Sequence, residues 1–259
     1  MFRRAAFLLV ASFLVASCVG VNSRPAVPAN EPLILFAAAD LQFALTEIAT
    51  DFAAQGHATP SISFGSTGTF TQQIENGAPA DVFFAADERY LAALAATGLV
   101  LGGTRQPYAV GRIVLVERSG LPPVTALSDL ARPEIRKVAI ANPEHAPYGR
   151  AAREALIRSG AWPGVEPKLV LGENISQTFQ FVQTGNADAG IVALSLALGV
   201  PGTRYTLISA SLHDPIVQAA AVLARTRQPA LARAFLAYLN GPDGRRIMKK
   251  YGFTLPEER

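Results

Sequence analysis

Short apolar runs alternate with amphipathic segments along most of the chain from Leu33 onward. Apolar runs bounded by polar or turn residues are typical of buried strands, and they cover residues 33–39, 61–64, 81–86, 112–117, 137–141, 168–171, 189–194 and 205–209. Helical periodicity follows the first run and recurs at residues 69–76, 89–97, 150–159 and 176–184. This alternation predicts an α/β protein with parallel sheets covered by helices on both faces.

The alternation is too long for one small sheet, and no proline-rich linker divides it. We therefore predict two lobes, each a mainly parallel sheet flanked by helices, with a ligand cleft between them. The first lobe would contain residues 33–107 plus 218–259, and the second lobe residues 108–217. Two C-terminal helices, separated at Gly241-Pro242, would pack on the first lobe.

The N-terminus predicts export. Residues 1–18 contain two arginines, an apolar run and then small residues, which is the layout of a signal peptide. The sequence "VASC" at 15–18 resembles a lipobox, in which Cys18 would carry a lipid; the alternative is an ordinary signal peptide with an incidental cysteine. Residues 19–32 would form a flexible tether. We expect a periplasmic protein, or one anchored on the extracytoplasmic side of the membrane.

Composition narrows the classes of partner. Half of the residues are hydrophobic, which is enough for a large core, and the net charge is only +3. A small net charge gives no support to a nucleic-acid partner. The single cysteine excludes a disulfide framework, and the three histidines lack the spacing of a metal site. We expect a monomer without a cofactor or a protein-bound metal cation.

The segment "SFGSTGTF" at 63–70 is the first sign of a binding site. Two glycines and several hydroxyl residues precede a predicted helix, whose first N–H groups are unpaired and whose dipole is positive there. Such a turn can bind an anion, or simply cap the helix. In parallel sheets ligands lie at the carboxyl ends of strands, and the corresponding junctions here are "FAAAD", "SFGSTG", "NPEHAPYGR" and "GENISQ".

At these junctions the sequence resembles the periplasmic molybdate-binding proteins of ABC importers. The resemblance covers residues 33–254 and includes "FAAADLQFALTEIATDF", "SFGSTGTFTQQIENGAPADVFFAAD", "NPEHAPYGRAAREAL" and "ENISQTFQFVQTGNADAGIVALS". It implies a two-lobed periplasmic-binding-protein architecture that closes on molybdate or tungstate. The ligand would be held by neutral hydrogen bonds and delivered to a membrane permease with its cytoplasmic ATPase.

The resemblance also implies which residues hold the anion. The matching positions are Asp40, Thr67 through its hydroxyl and amide, Tyr148, and Ile175 through its backbone N–H. The best-known members of the family have a tyrosine after the "GIV" strand, whereas this sequence has Ala193 at that position. Some relatives instead place a tyrosine where Tyr148 stands. We therefore expect the Tyr148 hydroxyl to supply the missing donor.

Asp40 departs from the family pattern, because a carboxylate repels a dianion and offers no hydrogen. We expect its side chain to cap the following helix, while its own N–H or that of Ala39 binds the anion. The alternative is that Asp40 accepts a hydrogen from a protonated oxyanion such as phosphate; sulfate is a further candidate ligand.

The remaining polar residues of the junctions have alternative roles. Ser66 would either contact the anion or brace its own turn, and Gly68 would give backbone freedom or allow the anion to approach closely. Arg150 would be a solvated charge or a contact between lobes. A distant alternative is an exported hydrolase with Ser66 or Thr67 as nucleophile, although His145 is not tied to their loop by sequence.

Overall fold

The structure is a computed structural model and describes residues 31–258. The export signal predicted for residues 1–18 and nearly all of the tether predicted for 19–32 lie outside this range. Within the described range, no helix has the length and apolar character needed to cross a membrane.

Strands and helices alternate as the sequence predicts. The strands are β1 Ile34–Ala38, β2 Ser61–Gly65, β3 Val82–Ala85, β4 Gln106–Gly111, β5 Ile113–Glu117, β6 Val138–Ala141, β7 Leu169–Gly172, β8 Ala189–Ala193, β9 Tyr205–Leu207 and β10 Ile216–Val222. The helices are α1 Gln42–Ala53, α2 Thr67–Glu75, α3 Glu88–Ala96, α4 Pro147–Arg158, α5 Trp162–Val165, α6 Ile175–Gln183, α7 Leu194–Gly199, α8 Pro229–Leu239 and α9 Pro242–Lys250.

These strands form two five-stranded sheets. The first has the order β2-β1-β3-β10-β4 and the second β7-β6-β8-β5-β9. In each sheet one strand, β10 or β5, runs antiparallel to both of its neighbours, while the other strands share one direction. We call the unit around the first sheet lobe I and the unit around the second lobe II. The predicted two-lobed α/β architecture is confirmed.

The predicted lobe boundaries need correction. The boundary between residues 107 and 108 falls inside β4, and that between 217 and 218 falls inside β10, yet both strands belong to lobe I. The chain therefore crosses to lobe II at Arg112 and returns between β9 and β10. Both strands were missed because "QPYAVG" begins like a turn and "IVQAAAV" is rich in alanine, with few of the branched residues that mark strands.

Each lobe has its own core. In lobe I, α1, α8 and α9 cover one face of the sheet, with Phe52, Phe235 and Met248 packed against Leu35 and Phe84. The predicted docking of the two C-terminal helices on lobe I is thus confirmed. Full burial of each such side chain contributes about 1.5–3 kcal/mol. The lobe II core extends across the cleft to Ala38 and Ala39 of lobe I, so the two lobes are closed on each other.

Candidate functional site

A small cavity lies where the carboxyl ends of β1 and β2 face the loops that precede α4 and α6. Its lining includes Ala39 and Thr67 from lobe I and Tyr148 and Ile175 from lobe II. The space open to the centre of a water molecule is about 10 Å³. A cavity of this size suits a compact ion and excludes a sugar or a peptide.

Backbone N–H groups at helix starts in both lobes border this cavity. The N–H groups of Thr67, Tyr148 and Ile175 lie in the first turns of their helices and so have no acceptor within those helices. Thr67 and Ile175 are the first residues of α2 and α6, and Tyr148 is the second residue of α4. Three helix N-termini therefore converge on one point, each with unpaired donors and the positive end of its dipole. This arrangement is suited to an anion.

The charge of an anion would be met here by neutral groups. Of the described residues that line the cavity, none is a lysine, arginine or histidine. The Thr67 hydroxyl oxygen accepts a hydrogen bond from the Ala86 N–H at 3.0 Å, and its own hydrogen has no acceptor among the described residues. The Thr67 hydroxyl therefore retains a hydrogen to donate, and the Thr67 amide is the first of α2.

Asp40 lies in a buried hydrogen-bond network instead of capping a helix. It lies within a 3-10 turn, Ala39–Leu41, whose N-cap is Ala38, and its carboxylate makes no cap bond. Its Oδ2 accepts hydrogen bonds from the Tyr148 hydroxyl at 2.9 Å and from Gln218 Nε2 at 2.7 Å. The predicted cap is therefore wrong, because the turn begins one residue earlier and places this carboxylate between the two lobes.

The Tyr148 hydroxyl is consequently engaged by Asp40 and not free for the anion, which leaves its backbone N–H as the donor. Gln218 Nε2 also donates to the Tyr148 hydroxyl at 3.0 Å, and Gln218 Oε1 accepts from the Tyr108 hydroxyl at 2.6 Å. These bonds fix which end of the Gln218 amide faces Asp40. The other carboxylate oxygen, Asp40 Oδ1, is buried without a partner in the described part of the chain.

Burial changes the acidity of this network. Desolvation raises the pKa of Asp40 from its ordinary 3.8 to about 7, although hydrogen bonds from Gln218 and Tyr148 oppose the rise. Desolvation, with the charge of Asp40 as a further cause, also raises the pKa values of Tyr108 and Tyr148 well above the usual range. Both tyrosines therefore remain hydrogen-bond donors near neutral pH.

Sequence reasoning missed Gln218 and Tyr108. Gln218 is the one polar residue in the apolar strand "IVQAAAV", and such an exception in a buried strand is the signal that could have revealed it. A β-bulge between Gln218 and Ala219 interrupts the pairing of β10 with β4. Bulges near binding sites often change the direction of a side chain. Across this pair of strands, a Cβ on Gly111 would collide with Tyr148 Oη and with Gln218 Nε2, so the network needs glycine there.

Ser66 and Gly68 both contact lobe II, and Ser66 also lines the cavity. The Ser66 hydroxyl donates to the His145 carbonyl at 2.7 Å, and the Gly68 N–H donates to the same oxygen at 2.9 Å. A Cβ on Gly68 would lie 2.8 Å from this carbonyl oxygen, so the glycine permits close approach of the lobes, whereas its φ is not positive. These bonds join the two lobes, and contact of Ser66 or Gly68 with the anion stays a prediction.

The contact between Ser66 and His145 is not a nucleophile and its base. His145 Nδ1 lies 2.8 Å from Ser66 Oγ, but the hydroxyl hydrogen is directed to the His145 carbonyl. The ring nitrogen is then the donor in this contact and cannot accept the hydroxyl proton. Among the described residues, no group of three or more His, Cys, Asp or Glu side chains could hold a metal ion.

Arg150 forms a second connection between the lobes, at the edge of the cleft. Its Nη2 lies 2.6 Å from Asp87 Oδ2, and its Nη1 donates to the Tyr90 hydroxyl at 3.0 Å. The guanidinium carbon also lies 5.5 Å from the centre of the Tyr90 ring, at cation–π distance. Of the two predicted roles for Arg150, the contact between lobes is the correct one.

Comparison with known proteins agrees with this geometry. Residues 33–254 match the family model described as bacterial extracellular solute-binding protein. The chain is 37% identical over 199 residues to the molybdate-binding protein ModA of Rhodobacter capsulatus, covering 77% of this chain and 78% of that protein. It is 34% identical over 251 residues to a putative ABC transporter substrate-binding lipoprotein, YvgL, of Bacillus subtilis, covering 95% of each.

A solved structure gives the same result. The periplasmic molybdate-binding protein of Azotobacter vinelandii superposes with a TM-score of 0.81 at 35% identity, over 86% of this chain and 99% of that one. Since the family model spans nearly all of the described residues and the cleft offers donors for a small solute, the chain belongs to the bacterial extracellular solute-binding proteins.

Proposed function

We propose that this protein binds molybdate or tungstate outside the cytoplasm and delivers it to an ABC importer. The observation that carries the proposal is the set of three helix-start N–H groups, from Thr67, Tyr148 and Ile175, around a cavity that no described lysine, arginine or histidine lines. Donors of this kind suit a ligand that only accepts hydrogen bonds, as a fully deprotonated oxyanion does. Relatives named for molybdate binding support this choice of ligand.

The closed lobes supply the affinity. Enclosure between the lobes removes water, and in a medium of lower dielectric constant each neutral hydrogen bond to a charged ligand is stronger. A net contribution of about 1.5–3 kcal/mol for each bond to a charged group would allow three such bonds, together with the Thr67 hydroxyl, to hold the ion without a salt bridge. Contacts between the lobes, such as Arg150 with Asp87, would oppose reopening.

We also infer the partners and the location. An importer permease with its cytoplasmic ATPase would receive the ion, because the family consists of extracellular solute-binding proteins. Residues 1–18 would direct export. Cys18 would carry a lipid, which the resemblance to a putative substrate-binding lipoprotein supports. The protein would act as a monomer and without a cofactor, with the oxyanion as its transported ligand.

Calorimetric titration of the mature protein with molybdate, tungstate, sulfate and phosphate tests the proposal. We expect tight binding of molybdate and tungstate and weak or no binding of the other two. Phosphate binding that Asp40→Ser abolishes would instead assign a protonated oxyanion as the ligand. If no oxyanion bound and a chromogenic ester were hydrolysed, the hydrolase alternative would replace the binding function.

A further inference from the structure

The two oxygens of the Asp40 carboxylate have different surroundings. Oδ2 accepts two hydrogen bonds, from Tyr148 and Gln218, whereas Oδ1 has no partner among the described residues, and the whole residue is only 1% exposed. A buried ionised carboxylate with one unpaired oxygen is costly, because burial removes most of the solvation that stabilises its charge. A proton on Oδ1 removes this cost and leaves both bonds to Oδ2 in place.

No charged group near Asp40 favours its ionised form. The groups that face it come from several elements: Tyr148 on α4, Tyr108 on β4 by way of Gln218 on β10, and Ser195 on α7, whose hydroxyl donates to the Asp40 carbonyl at 2.7 Å. Within the described chain, no lysine, arginine or histidine forms a hydrogen bond or an ion pair with this carboxylate. Asp40 is therefore the group in this network that changes charge near neutral pH.

Asp40 also lines the cavity in which the oxyanion would be bound. An ionised Asp40 would repel a dianion there, whereas the neutral acid presents an O–H donor. The position therefore acts as a donor, like the surrounding N–H groups, only when it carries a proton.

We propose that Asp40 binds the oxyanion as a neutral carboxylic acid whose Oδ1–H donates to a ligand oxygen, so that dianion binding is coupled to uptake of one proton by Asp40. The inference rests on the proposed function. The proton comes from solvent whenever Asp40 is ionised before binding. Asp40 thereby helps to determine specificity, because a site made only of donors accepts a proton-free dianion and disfavours hydrogen phosphate.

The coupling predicts a particular pH dependence. Since the pKa of Asp40 lies at about 7 in the closed protein, the neutral acid predominates below that pH. Molybdate affinity should be nearly level up to about pH 6.5 and should fall by up to about tenfold per pH unit well above pH 7. In Asp40→Asn the amide keeps an acceptor for Tyr148 and Gln218 and always presents an N–H donor. Its affinity should therefore stay level.

The experiment is titration of the mature protein with molybdate between about pH 6 and pH 9, for the wild type, Asp40→Asn and a control, Asp129→Asn. Asp129 is a surface carboxylate that accepts hydrogen bonds from Thr125 and Ala126, outside the cavity. We expect the control to follow the wild type. Equal affinity of the wild type at all pH values, or the same decline in Asp40→Asn, would overturn the inference.

A second measurement needs no variant. Binding heats at about pH 8 in buffers of different ionisation enthalpy give the number of protons taken up, which should approach one per molybdate. A value of zero would refute the coupling and leave the binding function intact. Absence of molybdate binding at every pH would refute the function itself. Phosphate binding by the wild type that is lost in Asp40→Asn would show that Asp40 is an acceptor and would also overturn the inference.

Discussion

Replacement of Asp40 by asparagine should change how the stability of the ligand-free protein depends on pH. The folded protein holds the Asp40 proton with a pKa of about 7, whereas the ordinary value is 3.8. Below about pH 4 the group is protonated in both the folded and the unfolded state. As the pH rises from there to 7, the unfolded chain loses this proton while the folded protein retains it. The free energy of unfolding therefore decreases across this window and changes no further above it.

The magnitude follows from the linkage of pKa and stability. At 1.36 kcal/mol per pKa unit, the rise from 3.8 to about 7 corresponds to a loss of up to about 4 kcal/mol. This is a substantial part of the about 5–15 kcal/mol that stabilises a typical domain. Opening of the cleft relieves the same penalty, because it returns the carboxylate to water. Ionisation of Asp40 should therefore also favour the open form of the ligand-free protein.

Urea unfolding at about pH 4 and pH 8, with the wild type and Asp40→Asn side by side, measures this effect. Every other titrating group is common to both proteins, so the difference between their pH dependences isolates Asp40. Small-angle scattering should show a larger radius of gyration for the ligand-free wild type at the higher pH, and no change for the variant. Identical pH dependence of the two unfolding free energies would refute the reasoning.

Three further changes test the site and the closure of the lobes. Ile175→Pro removes one N–H at the first position of α6, where proline is tolerated, and should weaken molybdate binding about 10- to 150-fold with little change in Tm. Ile175→Val is the control, and unchanged affinity of Ile175→Pro would exclude this donor. Gly111→Ala should displace the Tyr148 hydroxyl and lower the free energy of unfolding, measured with urea, by about 1–3 kcal/mol. If the variant were as stable as the wild type, the predicted clash between the new Cβ and Tyr148 would be wrong. Arg150→Met removes the ion pair with Asp87 and should speed molybdate release about fivefold in stopped-flow measurements at low salt, since such a pair contributes about 1 kcal/mol. Identical release rates in the variant and the wild type would show that this pair does not hold the lobes closed.

Local signals in the sequence were sufficient for much of the fold and for the location of the cleft. A strand followed by a helix can be predicted from the hydrophobic periodicity of consecutive residues. The first N–H groups of any helix lack an acceptor within the helix, so their position follows once the helix is predicted. For this reason the sequence alone was enough to propose Thr67 and Ile175 as donors. The resemblance to a family supplied the exact positions.

Long-range contacts account for what the sequence did not reveal. Asp40 follows a strand and precedes a helix, so a local rule assigned it to a cap. Its actual partners, Tyr148 and Gln218, are 108 and 178 residues away along the chain. No local pattern records which distant side chains meet at a cleft. Gln218, the lone polar residue of the apolar strand β10, was the one local signal available. It marks a buried polar residue but does not show which side chains it contacts.

The path of the chain has a consequence for the order of folding. Lobe II is built from one uninterrupted segment between β5 and β9, whereas β10 must enter lobe I between β3 and β4, pairing Ala219 with Ala85. Pairings between distant residues form slowly, because the intervening loop loses entropy before the contacts compensate. Lobe II can thus complete its sheet while β4 still lacks its neighbour in lobe I. We therefore expect the half of the cleft that carries Asp40 to be completed after the half that carries Tyr148 and Ile175.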